Sequence, residues 1–177
     1  MNTWIAFLRG INVGGNNILP MQDLRHLLER QGFERARTYI QSGNCVFQTK
    51  RADRREIEHL ISTSIETTFG FRPNVLALRQ TELLAAIAAN PYPEGADEPK
   101  SVHLFFLAEP ANPSDLPLLE DLKAATERYH LTERVLYLHA PDGIGRSKLA
   151  AKVERTLGVS MTARNLRTAV KVSELVP

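Results

Sequence analysis

Short apolar runs alternate with amphipathic stretches along the N-terminal half of the chain. Residues 4–8 form an apolar run rich in β-formers, which predicts a central strand buried on both faces. After Pro20, apolar residues three and four positions apart, closed by Gly32, predict a helix. The predicted elements are, in order, strand Thr3–Arg9, helix Pro20–Gly32, strands Ala36–Ile40 and Cys45–Thr49, helix Asp53–Gly70 and strand Asn74–Leu78. This β-α-β-β-α-β order is that of a ferredoxin-like unit.

A second set of elements follows a segment of different composition. Residues 91–100 concentrate Pro, Gly and acidic side chains, which is typical of a linker. The predicted elements around it are a short helix Thr81–Ala89, strand Val102–Leu107, a helix from about Pro117 to Tyr129, strand Val135–Leu138, a helix from Ser147 to Gly158 and a last helix starting near Thr162 or Ala163. No internal sequence repeat is evident.

The predicted fold class is therefore α+β. An N-terminal ferredoxin-like subdomain, residues 1–90, is expected to pack against a smaller second α+β subdomain, residues 101–177, with residues 91–100 as the linker.

Composition excludes several classes of protein. The 177 residues are 43% hydrophobic and 24% charged, values typical of a globular chain rather than a disordered or fibrous one. The single cysteine, Cys45, excludes an internal disulfide framework, and the five histidines have no metal-binding spacing, so neither a metal nor a cofactor is expected. No run approaches the ~20 apolar residues of a membrane span, and the N-terminus does not resemble a signal peptide. A cytoplasmic protein without a membrane partner is expected.

Charge is divided unevenly along the chain. The formal net charge is +2, but residues 1–50 carry 6 basic and 3 acidic side chains, and residues 143–177 carry 7 basic and 2 acidic ones. Residues 51–142 carry 9 basic and 15 acidic side chains. Two basic ends around an acidic middle either indicate an anionic partner near the ends or reflect solvated helix faces.

The first candidate binding segment follows the first predicted strand. Glycines and asparagines between a strand and a helix can present backbone N–H groups to an anion, and Arg9 can pair with a carboxylate or phosphate. The candidate residues are Arg9, Asn12, Gly14, Gly15 and Asn17. Neither a phosphate-loop motif nor a dinucleotide fingerprint is present, and the same residue types also serve simply to build a tight loop.

The second candidate segment is the predicted hairpin turn, and it contributes Tyr39, Gln41, Ser42 and Asn44. Turn chemistry alone explains this composition. In a ferredoxin-like sheet, however, strands one and three are neighbours, so we expect the hairpin to lie near the end of the sheet that carries Arg9.

The third candidate segment lies near the C-terminus and contributes Ser147, Lys148, Arg164 and Asn165. Ser147 and Lys148 at a helix N-terminus can bind an oxyanion, although Ser147 is equally suited to be a plain helix cap. A Ser–Lys nucleophile pair is disfavoured because adjacent residues on a helix point about 100° apart.

These three segments also carry a family resemblance. Leu8-Arg9-Gly10-Ile11-Asn12-Val13-Gly14-Gly15, Thr38-Tyr39-Ile40-Gln41-Ser42-Gly43-Asn44 and, near the C-terminus, Ser147-Lys148-Leu149 with Thr162-Ala163-Arg164-Asn165 resemble the bacterial family known as domain of unknown function 1697. The resemblance implies a compact protein with a ferredoxin-like N-terminal part and a smaller α+β part. It implies no reaction. It also implies that Arg9, Asn12, Tyr39, Gln41, Asn44, Lys148, Arg164 and Asn165 recur together, which a shared polar site would explain.

Three functional hypotheses follow. The first is a protein that binds a small phosphate- or carboxylate-bearing ligand in a cleft between the subdomains, with Arg9, Lys148 and Arg164 supplying positive charge. The second is a nucleic-acid-binding protein without sequence specificity, because the RNA-recognition signature is missing from the third predicted strand. The third is a structural or interaction protein without a ligand. The sequence leaves open whether any reaction is catalysed and in which oligomeric state the chain exists.

Overall fold

A computed structural model describes residues 1–112 and 116–176. The chain divides into two compact units. Unit 1 comprises Met1–Ala85 with the chain from Lys171 onward, and unit 2 comprises Ala86–Val170.

Unit 1 has the predicted β-α-β-β-α-β order, followed by one more helix. The elements are β1 (Asn2–Arg9), α1 (Met21–Arg30), β2 (Glu34–Tyr39), β3 (Asn44–Thr49), α2 (Arg54–Phe69), β4 (Asn74–Arg79) and α3 (Gln80–Ala88), whose last residues belong to unit 2. The sheet order is β2-β3-β1-β4, and every neighbouring pair is antiparallel.

The core of unit 1 lies between the sheet and helices α1 and α2. Trp4, Ala6 and Leu8 alternate along β1 on the helix side, where they meet buried apolar side chains of both helices. Ile5 and Phe7, on the opposite face, are also fully buried. The prediction of a strand buried on both faces is therefore confirmed.

Two glutamates occupy the outer edge of β4. The Glu58 carboxylate accepts a hydrogen bond from the Ala77 N–H at 2.8 Å, and Glu82 accepts one from the Arg79 N–H at 2.6 Å. Burial raises the pKa of the Glu58 carboxyl, and the Ala77 N–H partly offsets that effect. Exposed strand edges invite pairing with other chains. The two carboxylates accept hydrogen bonds from the outward N–H groups of β4, and they also prevent another strand from pairing there.

Unit 2 repeats the element order of unit 1. Its elements are β5 (Val102–Leu107), α4 (Leu116–Glu120), β6 (Arg128–Leu131), β7 (Val135–His139), α5 (Lys148–Leu157), β8 (Met161–Asn165) and α6 (Leu166–Ser173), whose end belongs to unit 1. The antiparallel sheet order β6-β7-β5-β8 is the same as that of unit 1, element for element. The chain therefore repeats a topology without a repeat in its sequence, and the α+β class is confirmed.

Two predictions in unit 2 are wrong. The helix predicted to run to Tyr129 ends at Glu120, because the buried Glu127 carboxylate accepts a hydrogen bond from the Ala124 N–H and forms a turn that leads into β6. The helix predicted to start near Thr162 or Ala163 begins only at Leu166, since Met161–Asn165 pairs with β5 as an edge strand.

The predicted linker, residues 91–100, lies within unit 2 and has structure of its own. It carries a 3₁₀ turn, Pro93–Ala96, and the buried Tyr92, whose ring lies under the Arg128 guanidinium. A Cβ atom on Gly95 would lie 2.6 Å from the Leu166 side chain, so this turn packs closely against α6. A division into independently folding domains at residues 91–100 stays a prediction.

No helix within the described residues is long and apolar enough to cross a membrane.

His103 is a buried titratable group in β5 of unit 2. Only 6% of the residue is exposed, and its Nε2 has no hydrogen-bond partner within the described residues. Burial lowers the pKa of His103 to about 4, although a hydrogen bond to the Lys100 backbone opposes this. The imidazole is therefore neutral in the folded protein at neutral pH.

The edge contact of Glu58 makes a stability prediction. Glu58→Ala removes the hydrogen-bond acceptor of the N–H of Ala77, a fully buried residue, so we expect the free energy of unfolding to fall by about 1–3 kcal/mol. Glu58→Gln keeps an oxygen that can accept this hydrogen bond, so its free energy of unfolding should fall much less. Chemical denaturation measures both, with Glu66→Ala as the control because Glu66 forms only an exposed ion pair with Arg72. Equal losses for Glu58→Ala and Glu66→Ala would contradict the role assigned to Glu58.

The low pKa of His103 makes a prediction about pH. Below the ordinary histidine pKa of about 6.5, the unfolded chain takes up a proton at this residue, whereas the folded chain does not until about pH 4. Stability conferred by the neutral imidazole is therefore present above pH 6.5 and is lost as the pH falls towards 4, with a limiting slope of about 1.4 kcal/mol per pH unit. Denaturation titrations should show that His103→Gln removes this component, whereas His26→Gln, at an exposed position, keeps it. Identical slopes for His103→Gln and the wild type would refute the assignment.

Candidate functional site

The loop between β1 and α1, Gly10–Pro20, is a miniature hairpin. Asn12 N–H donates to Asn17 O at 3.1 Å and Asn16 N–H donates to Val13 O at 3.0 Å. The two turn residues, Gly14 and Gly15, have φ of +58° and +77°. Two successive positive φ values are the geometry of a two-residue hairpin turn, which a pair of glycines adopts without strain. The loop is therefore ordered by its own backbone.

The side chain of Asn12 holds this loop in place. Its Nδ2 donates to Leu19 O and to Gln41 O, each at 2.9 Å, and its Oδ1 accepts from Leu19 N–H at 2.8 Å. Three hydrogen bonds nearly exhaust the capacity of one carboxamide. Asn12 thus closes the base of the loop and ties it to the β2–β3 turn.

The β2–β3 turn, Ile40–Gly43, is fixed in the same manner. Asn44 is fully buried, and its Nδ2 donates to Tyr39 O at 2.9 Å and to Ser42 Oγ at 3.1 Å. A Cβ atom on Gly43, where φ is +78°, would lie 2.7 Å from Leu8 Cβ, so only glycine fits. Leu8 N–H donates to Gly43 O at 2.8 Å, which joins the turn to β1.

The structure thus brings the first two candidate segments together. The asparagine side chains of these segments form hydrogen bonds within the protein. Asn17 Nδ2 donates to Gly10 O at 2.7 Å, so Asn17, Asn12 and Asn44 all bond to backbone or to neighbouring side chains. Arg9 and Tyr39 are half-buried. The exposed candidate residues of these two segments are Gly14, Gly15, Asn17, Gln41 and Ser42. A ligand-binding role for these residues stays a prediction.

The third candidate segment lies in unit 2, and two of its residues cap helices. The buried Ser147 accepts a hydrogen bond from Ala150 N–H at 2.9 Å and begins α5, whereas Asn165 Oδ1 accepts from Thr168 N–H at 2.8 Å and begins α6. Arg164 Nη1 donates to Ala163 O at 2.8 Å, and Lys148 is exposed. Convergence of this segment with the other two stays a prediction.

Unit 2 also contains a surface hollow that the sequence analysis missed. Its volume is about 490 Å³. It is lined by Asp97, Glu98, Pro99, Lys100, Ser101, Ala140, Pro141, Gly143 and Arg167. The lining comes from the segment before β5, the turn after β7 and the first turn of α6. None of these residues was a candidate binding residue in the sequence analysis, because residues 91–100 resembled a linker.

Positive charge surrounds part of this hollow. Within the described residues, no carboxylate lies within 4.0 Å of the Lys100 ammonium or the Arg167 guanidinium, and both residues are exposed. Arg167 lies in the first turn of α6, where its N–H donates to Pro99 O at 3.2 Å and the helix dipole is positive. Asp97 and Glu98 supply two exposed carboxylates on the same lining, so its formal charges balance.

Over residues 1–112 and 116–176, no three His, Cys, Asp or Glu side chains are grouped so that they could hold a metal ion.

Comparisons with known proteins bear on the family and on the fold. A family model described as "Protein of unknown function (DUF1697)" matches residues 1–137. The stretches near Ser147 and Arg164 that carried part of the resemblance lie beyond these residues. No curated protein matches the chain.

A solved structure matches over the whole chain. It is described as the structure of the conserved bacterial protein SP0830 from Streptococcus pneumoniae, and the comparison gives a TM-score of 0.73 at 19% sequence identity over 99% of each chain. At this identity the likeness shows a shared fold. Because the family model spans most of the sequence, from β1 into β7, the chain belongs to the DUF1697 family of proteins of unknown function.

Proposed function

We propose that this protein binds a small ligand bearing one phosphate or carboxylate group in the hollow of unit 2. The observation that carries the proposal is the position of Lys100 and Arg167, which line the hollow without an ion pair to any described carboxylate. A guanidinium and an ammonium beside a helix N-terminus match the charge of an oxyanion.

The rest of the lining favours a small ligand over a polyanion. Asp97 and Glu98 would repel a second negative group, whereas they can accept hydrogen bonds from ligand hydroxyl or ammonium groups. Pro99, Ala140 and Pro141 offer apolar surface to a carbon skeleton. A volume of about 490 Å³ is within the range of small-molecule sites. A hydroxy acid, an amino acid or a sugar monophosphate has the required chemistry.

A pair of substitutions tests the proposal. Thermal unfolding is measured with inorganic phosphate, hydroxy acids, amino acids, sugar monophosphates and a short oligonucleotide, each at low and high salt. A bound small ligand at 100 times its Kd should raise the Tm by roughly 5–10 °C. Lys100→Ala with Arg167→Ala should weaken that ligand by about 100-fold, because two charge-assisted contacts are lost.

The matched control is Lys152→Ala with Arg155→Ala. These residues are exposed in α5 of the same unit, and the pair changes the net charge by the same amount. The control should bind like the wild type. Stabilisation by the oligonucleotide alone, falling steeply with salt, would favour nucleic-acid binding instead. If no compound stabilises the wild type, the proposal is contradicted, and a structural or interaction protein without a ligand is favoured instead.

A further inference from the structure

We infer that the β1–α1 loop and the β2–β3 turn of unit 1 form a docking surface for an aliphatic, acidic-flanked segment of another protein. The surface consists of the side chains of Val13, Ile18 and Ile40, here called the aliphatic tip. The inference is independent of the hollow in unit 2.

Exposure is the first observation. The side chains of Val13, Ile18 and Ile40 belong to residues that are 66%, 56% and 49% exposed. The exposed large hydrophobic residues of the described chain are Met1, Val13, Ile18, Ile40, Leu84 and Leu118. Half of them thus lie on two loops that the Asn12–Gln41 hydrogen bond holds side by side. Clustered exposed aliphatic side chains mark interaction sites, whereas isolated ones do not.

The second observation is that the tip is preorganised. The Gly14–Gly15 turn, the three hydrogen bonds of Asn12 and the two of Asn44 fix the backbones that carry these side chains. A partner that binds a fixed surface loses less conformational entropy than one that must order a mobile loop.

Backbone strain at Ile40 is the third observation. Its φ is +48°, in the left-handed region that β-branched residues avoid. Asparagine or glycine would adopt this conformation with less strain, and a polar residue would suit an exposed turn better. An aliphatic side chain that is both strained and exposed gains nothing for the fold, whereas it fits a contact with a partner.

Charge identifies the partner. Segments Gly10–Pro20 and Ile40–Asn44 contain no ionisable side chain, and such a charge-free centre is typical of protein–protein interfaces. An arginine adjoins the turn: Arg25 Nη1 donates to the neutral Thr38 Oγ1 at 2.7 Å, and within the described residues no carboxylate lies within 4.0 Å of the Arg25 guanidinium. An apolar segment flanked by Asp or Glu complements this arrangement.

Selection from a random peptide library tests the inference. The full-length protein is the bait, and synthetic copies of the enriched peptides are titrated by fluorescence anisotropy. Enriched peptides should carry aliphatic side chains next to Asp or Glu. Val13→Ser with Ile40→Ser should weaken them by at least about tenfold, since buried aliphatic anchors carry most of the affinity of such contacts.

Leu84→Ser with Leu118→Ser is the matched control, because these leucines are exposed elsewhere on the chain. It should leave peptide affinity unchanged. Equal losses in the two double variants, or a lack of peptides that distinguish them, would overturn the inference. Sedimentation that shows wild-type self-association, abolished in Val13→Ser with Ile40→Ser, would also overturn it in favour of a second copy.

Ile40→Asn separates binding from folding. It should weaken the same peptides and yet raise the Tm by about 2–4 °C, because asparagine relieves the left-handed strain. A lower Tm together with unchanged peptide affinity would show that Ile40 serves the fold and would contradict the inference.

Discussion

The carboxamide of Asn12 is the contact on which the arrangement of loops in unit 1 depends. Its hydrogen bonds to the backbone N–H and C=O of Leu19 close the base of the β1–α1 loop, and its hydrogen bond to the backbone C=O of Gln41 joins this loop to the β2–β3 turn. Asparagine suits this position because it tolerates the positive φ of 52° and offers both donors and an acceptor. Its bond to Gln41 O adds a hydrogen bond between the two loops to the packing of Ile11 against Gly43. The exposed aliphatic side chains then have fixed positions because the hydrogen bonds of Asn12 hold the backbones that carry them.

The repeated topology explains where the two candidate surfaces occur. In each unit the first strand is central and the third strand is its antiparallel neighbour. The aliphatic tip lies where β1 ends and β3 begins, since Phe7 pairs with Asn44. The hollow lies where β5 begins and β7 ends, since Val102 pairs with His139. The tip therefore lies at the end of the first strand of its sheet, whereas the hollow lies at the start of the first strand of the equivalent sheet. The two surfaces differ in chemistry because different loops form them.

Much of this fold follows from the sequence, and the failures have physical causes. Apolar runs and glycine stops identified most elements of unit 1, because β1, β3, α1 and α2 bury a continuous apolar face. Strands β6 and β8 were missed because short edge strands with polar outward positions lack an apolar pattern. The turn closed by Glu127 depends on a buried carboxylate that no spacing rule anticipates.

The candidate site residues teach a related lesson. Asn12, Asn17 and Asn44 have the composition expected of ligand contacts, but a sequence does not show whether an amide is already bonded to its own backbone. Lys100 lines the hollow but did not look like a ligand contact in the sequence, because its neighbours resembled a linker. Exposed aliphatic residues such as Val13 are hidden in a sequence, where they look like part of the core.

The claim that Asn12 organises the loops is tested most directly by hydrogen exchange at the Leu19 amide. In the wild type this N–H donates to Asn12 Oδ1 and should be protected. In Asn12→Ala its protection should fall by at least about tenfold, whereas Asn12→Asp, which keeps the acceptor, should retain part of it. Unchanged protection of Leu19 in Asn12→Ala would contradict the account.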